Sequence, residues 1–163
     1  MKPENRNRRS IRLADYDYAT PGAYLVTICT WNRECLFGEI RDGKMFLNVL
    51  GDMVSRYWQA IPGHFKNVKL DEFVVMPYHI HGLLIIEDSS GEACLAPTKG
   101  PALGAIVGAF KSSVTRVAGK TCGFTGRQLW QRNYYEHVAR NEMDLDDTRR
   151  YIVDSPARWG FNS

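Results

Sequence analysis

Apolar positions along this chain fall into short runs with the period of strands and longer stripes with the period of helices. Ala23 to Trp31 (AYLVTICTW) predicts a strand, buried through Tyr24, Val26, Ile28 and Thr30 or on both faces. Leu36 to Ile40 and Lys44 to Val49 flank Arg41-Asp42-Gly43. An Asp-Gly pair between short apolar runs predicts a hairpin. Leu50, Val54, Tyr57, Trp58 and Ile61 form one helical stripe, which Pro62-Gly63 should stop. Val68 to Met76 and His79 to Glu87 read as two strands broken at Pro77, which has no N–H for a ladder.

Asp88 to Pro101 reads as a loop. Ala102 to Ala118 predicts a helix on the stripe Leu103, Ile106, Val107, Phe110, Val114 and Val117. Leu129 to Val138 holds a short extended piece. Asn141 caps a last helix, with Asp144 as its return partner, and that helix should end before Pro156. Segregated strands with helices on one side suggest an α+β sandwich. The βαββαβ ferredoxin-like arrangement follows if Leu129 to Val138 supplies the last strand, and a further C-terminal helix completes the chain. That fold serves many functions and decides none.

Composition narrows the picture. A chain of 163 residues is expected to form one domain over 16–163 with its own apolar core. The net charge of +3 does not by itself announce a nucleic-acid binder. Its distribution says more: Lys2, Arg6, Arg8, Arg9 and Arg12 crowd a basic arm over residues 1–15, suited to phosphate or to plain solvation. Cys29, Cys35, Cys94 and Cys122 have no C-x-x-C spacing and read as reduced thiols. No apolar run is long enough to span a bilayer and no signal peptide is visible, so a cytoplasmic protein is expected.

The candidate chemistry begins at His79-Ile80-His81. Alternation puts both imidazoles on one face of the strand, about 7 Å apart at Cα. Such a pair can share a metal ion, or it can be two hydrogen-bonded strand histidines. On the last helix Asp147, Tyr151 and Ser155 share a face, while Leu145 and Ile152 belong to the stripe that docks on the sheet. Tyr151 therefore sits at the edge of the buried face, as an interface tyrosine or as a nucleophile. A phenol with a pKa near 10 needs an electrophile already polarised.

Several blocks together resemble a known family. Met76-Pro77-Tyr78-His79-Ile80-His81-Gly82 resembles the HUH motif (U is hydrophobic) of the single-tyrosine HUH transposases. Tyr24 to Arg33 is similar to their first strand, and Val107-Gly108-Ala109-Phe110-Lys111-Ser112 to their second helix. Trp130 to Val138 with Arg140-Asn141 matches the next block, and Tyr151-Ile152 with Ser155-Pro156 matches the tyrosine helix. The resemblance covers about residues 16–160, and the nearest branch is the REP-associated tyrosine transposases. It implies a ferredoxin-like fold and cleavage and rejoining of single-stranded or hairpin DNA with Mg²⁺ or Mn²⁺. It also implies His79 and His81 as metal ligands and Tyr151 as the nucleophile that forms a 5′-phosphotyrosine, in a monomer or homodimer.

Two positions depart from the family pattern: Tyr78 replaces the usual Asn, and Ser155 replaces a polar amide one turn after the nucleophile. Ser155 and His137 are the remaining candidates to assist the metal. Lys111, Arg132, Tyr134, Arg149 and Arg150 are candidate DNA contacts, because arginines take phosphates and aromatic faces take unpaired bases. The departures also suit a DNA hairpin or single-strand binder that has lost cleavage. A third class, a hydrolase whose His-x-His metal activates water, lacks a carboxylate cluster for a second metal.

Overall fold

Tyr24, Val26 and Ile28 are wholly buried, and every second residue between them turns to the opposite side of the first strand. The computed structural model describes residues 21–87, 103–124 and 128–159. The basic arm, the Asp88 to Pro101 loop with Cys94, and Arg127 lie outside the described residues. The elements are β1 (Gly22–Cys29), β2 (Gly38–Arg41), β3 (Lys44–Leu47), α1 (Val49–Gln59), α2 (Ile61–His64), β4 (Val68–Val75), β5 (His79–Ile86), α3 (Leu103–Thr121), β6 (Tyr135–Ala139) and α4 (Glu142–Arg158).

Four strands form one antiparallel sheet in the order β4-β5-β1-β6, and β2 and β3 form a separate hairpin. Without that hairpin the order is the ferredoxin-like βαββαβ arrangement expected from the sequence, with β6 as its last strand. Helices α1 and α3 cover one face. There Trp58 stacks on Phe73 and meets Phe110 edge-on, over a core that includes Val26, Ile28, Ile80 and Leu84. Helix α4 covers the other face, where Ile152 packs against Leu25 and Leu83. Each such fully buried aliphatic side chain favours folding by about 1.5–3 kcal/mol.

Local chemistry explains the joints. The Asn48 side chain caps α1 by accepting from the Gly51 N–H and donates to the Leu36 carbonyl, so the hairpin and helix are fixed together. A Cβ on Gly51 would lie 2.1 Å from the Phe37 carbonyl oxygen, a clash with backbone. The β4 register slips between Leu70 and Phe73, which face Leu84 and Gly82. The extra residue is a bulge at Asp71-Glu72, and a bulge re-aims side chains.

Two sequence expectations about helix ends change. Pro62-Gly63 does not simply stop a helix: α1 ends at Gln59, and Pro62 stands in the first turn of α2. A first-turn proline loses nothing, because its N–H would have no partner inside the helix. Helix α4 continues past Pro156 to Arg158. That proline lies in the last turn, where only the Ile152 carbonyl loses its donor and the buried Ile152 side chain keeps the turn docked.

Candidate active site

The period of β5 divides its residues between two environments. Ile80, Gly82 and Leu84 face α1 and α3, whereas His79, His81 and Leu83 face α4. Both imidazoles are buried, with relative exposures of 9% and 6%. Their Nε2 atoms approach to 3.1 Å. Burial, and then the positive charge of Arg33, pulls His79 down to about 4. Burial, and then His79 itself, pulls His81 down to about 3. Both rings are therefore neutral near pH 7, which is the form that offers a lone pair to a cation.

The register explains the support of His81. Thr27 of β1 lies opposite His81, and its Oγ1 is 2.7 Å from His81 Nδ1. With the proton on Nδ1 donated to Thr27, the Nε2 lone pair points inward, as a ligating histidine requires. His79 Nδ1 is buried without a hydrogen-bond partner among the described residues. The donors fit one cation. Two neutral imidazole nitrogens this close could bind one divalent ion together. Among the described residues no third His, Cys, Asp or Glu completes the set. Water and phosphate oxygens would have to fill the rest, as hard divalent ions commonly accept.

Helix α4 brings Tyr151 to the pair. The ring of Tyr151 lies edge-on to His81, 5.1 Å between centroids, and is 45% exposed. Three anchors hold the helix. Ile152 enters the apolar pocket beside it. Arg149 makes a two-pronged pair with Asp71, Nε to Oδ1 at 3.0 Å and a terminal nitrogen to Oδ2 at 2.7 Å. The Arg149 hydrogen bond is the main reason the Asp71 carboxyl lies below its ordinary range. At the N-terminus the Asn141 side chain accepts from the Asp144 N–H. Asp144 answers one residue further back, accepting from the Arg140 N–H and from His137. The Arg140 N–H, and next the His137 bond, hold the Asp144 carboxyl below its ordinary range.

The sequence-predicted residues are thus sorted. His79, His81, Tyr151 and Ser155 line one cavity of about 360 Å³. Ser155 Oγ donates to the Tyr151 carbonyl at 2.6 Å, so its proton is committed to the helix. His137 lines the adjoining cleft with Tyr151 and His81, and its Nε2 lies 3.1 Å from both Asp144 carboxylate oxygens. Arg149 is held by Asp71 and by Asp146, and Arg150 is exposed on α4. Lys111 Nζ donates to the Gln131 and Arg132 carbonyls and ties α3 to that loop; burial lowers its pKa. Lys111 and Arg132 line a separate groove with Arg116, and Tyr134 packs against the main core.

Sequence reasoning missed Thr27, Arg33, Arg158 and Trp159, all of which line the cavity. Alternation placed Thr27 on the correct side of β1, but only the β1–β5 register sets it opposite His81. Nothing in the local pattern marks Trp159, whose ring reaches Tyr78 at 5.3 Å and His79 at 6.2 Å.

No family profile matches the chain. An uncharacterized protein of Haemophilus influenzae is 43% identical over 164 aligned positions, covering 94% of this chain and 90% of that protein. A second protein of the same organism, provisionally named a REP-associated tyrosine transposase, is 23% identical over 155 positions, 89% of this chain and 76% of its own length. Among solved structures, a REP-associated tyrosine transposase bound to a REP hairpin superposes with a TM-score of 0.64 at 17% identity, covering 92% of this chain and 74% of that one. That superposition shows a shared fold.

Proposed function

We propose a function for a chain that belongs to one family with the first Haemophilus influenzae protein and is similar in sequence and fold to REP-associated tyrosine transposases: it cleaves and rejoins single-stranded or hairpin DNA through a tyrosine. The observation that carries this reading is Tyr151 packed on His81, in one cavity with two neutral imidazoles whose Nε2 atoms converge. The solved relative is described as bound to a REP hairpin, which supports hairpin DNA as the partner.

In this reading His79 and His81 would hold a divalent cation, Mg²⁺ or Mn²⁺. Bound there, it would draw charge from the scissile phosphate. Thr27 fixes the His81 tautomer. Tyr151 Oη attacks phosphorus, the bond to the 3′-oxygen breaks, and that oxygen leaves as a hydroxyl. The phenol proton passes to solvent at the open mouth of the cavity and a proton returns to the 3′-oxygen. The 5′-phosphotyrosine keeps the bond energy for rejoining. Residues 16–163 act as a single catalytic domain, and the basic arm before them adds phosphate contacts.

The test is a covalent-adduct assay on oligonucleotides that flank the gene, with Mg²⁺ or Mn²⁺. Wild type is expected to form a protein–DNA adduct that Tyr151→Phe abolishes and His81→Ala reduces by orders of magnitude. Cleavage that survives Tyr151→Phe would instead support metal-activated water. A second reading, a DNA binder without cleavage, is favoured by Ser155, whose hydroxyl is committed to the Tyr151 carbonyl. It predicts binding of the same oligonucleotides by wild type and no adduct with either metal.

A further inference from the structure

The cavity beside the histidines has an aromatic wall and a positive rim that the chemistry above does not use. Tyr78 packs on His79 at 4.6 Å and on Trp159 at 5.3 Å, so the three rings adjoin, tilted to one another by 34° to 58°. Arg33 and Arg158 line the same cavity, and among the described residues no carboxylate does. Arg33 makes no ion pair among the described residues, and Arg158 has only Asp154 at 3.7 Å, both largely exposed. A cavity of about 360 Å³ lies near the small end of ligand sites, which run from about 300 to 1,000 Å³. Its size suits one nucleotide.

Backbone hydrogen bonds fix the segments that carry these rings. The Pro77-Tyr78 turn is bolted by three backbone hydrogen bonds: Met76 N–H to His79 O, Thr30 N–H to Tyr78 O, and Phe37 N–H to Pro77 O. Trp159 is set by its own N–H to the Pro156 carbonyl, in the turn that ends α4. Aromatic faces fixed before binding lose little entropy when a base stacks on them.

We propose that Tyr78 and Trp159 receive one unpaired nucleobase of the DNA strand next to the phosphate at Tyr151, with Arg33 and Arg158 on the flanking phosphates. This rests on the DNA-processing reading and deepens it. It gives Tyr78 and Trp159 a specificity role: a site at which base pairing in the substrate must be absent.

The test needs no metal and no cleavage. Fluorescence anisotropy in EDTA compares a labelled oligothymidylate of about ten nucleotides with an abasic oligomer of equal length. Stacking of about 1–3 kcal/mol per base predicts that wild type prefers the base-bearing strand by at least about fivefold. Tyr78→Ala and Trp159→Ala should each remove most of that preference while binding the abasic strand as wild type does. Trp159→Phe, which keeps a ring, should retain much of it, and melting curves exclude unfolded variants. Arg33→Ala and Arg158→Ala should weaken both strands alike. Preference unchanged in both aromatic variants, or both strands weakened equally by them, overturns the base site. Failure of the DNA-processing reading looks different: the adduct is then absent from wild type while the base preference persists.

Discussion

Gly82 follows the two histidines, and Trp58 depends on its having no side chain. A Cβ there would lie 2.0 Å from the indole, in a ring wedged between Phe73 and Phe110. The same strand therefore holds the histidine pair on one side and the anchor of the main core on the other. Gly82→Ala forces either Trp58 or β5 to move, and overpacking of this kind costs about 1–3 kcal/mol. The expected result is a lower thermal midpoint, and an unchanged midpoint would mean the indole relocates freely. The residue scale also explains Ser155. Its hydroxyl lies in the cavity yet bonds backward to the Tyr151 carbonyl. It therefore steadies the tyrosine's turn and has no proton to offer the histidine pair.

At the scale of elements, α4 decides whether the site exists, because His79 and His81 are fixed in the sheet and Tyr151 is not. Asp71, at the bulge in β4, faces α4, where Arg149 grips both oxygens. Asp71→Asn keeps the shape and removes the charge. Hydrogen exchange should then rise across the amides of α4 while β1 and β5 stay protected. Equal protection of α4 in the variant would show that Ile152 alone holds the helix. This clamp was illegible in the sequence. The pattern gives a helix with Arg149 beside Tyr151, but its partner is 78 residues away, on a strand that meets α4 only in the folded sheet.

For the whole molecule, the buried imidazoles link stability to pH. Folded values of about 4 and about 3 lie below the ordinary 6.5 of an exposed histidine. Between these limits the unfolded chain holds more protons, so the contribution is full above 6.5 and is lost as pH falls toward 3–4. Each additional proton bound by the unfolded chain changes stability by about 1.4 kcal/mol per pH unit. The midpoint should fall between about pH 6.5 and pH 4.5, before Asp71 and Asp144 begin to protonate. Replacing both histidines with Gln should flatten that slope, and a slope that persists assigns the effect to other groups. The sequence by itself determined the strands, the hairpin, the common face of His79 and His81, and the Asn141 cap, because these follow from periodicity and from hydrogen-bonding needs within a few residues. It also carried the family resemblance. Only the tertiary structure decided that α4 lies on the histidine face, that Thr27 meets His81, and that Lys111 and Arg149 hold the fold together. Trp159, Tyr78 and two arginines likewise meet only there. These depend on sheet register and on contacts between distant segments, which no local pattern of residues encodes.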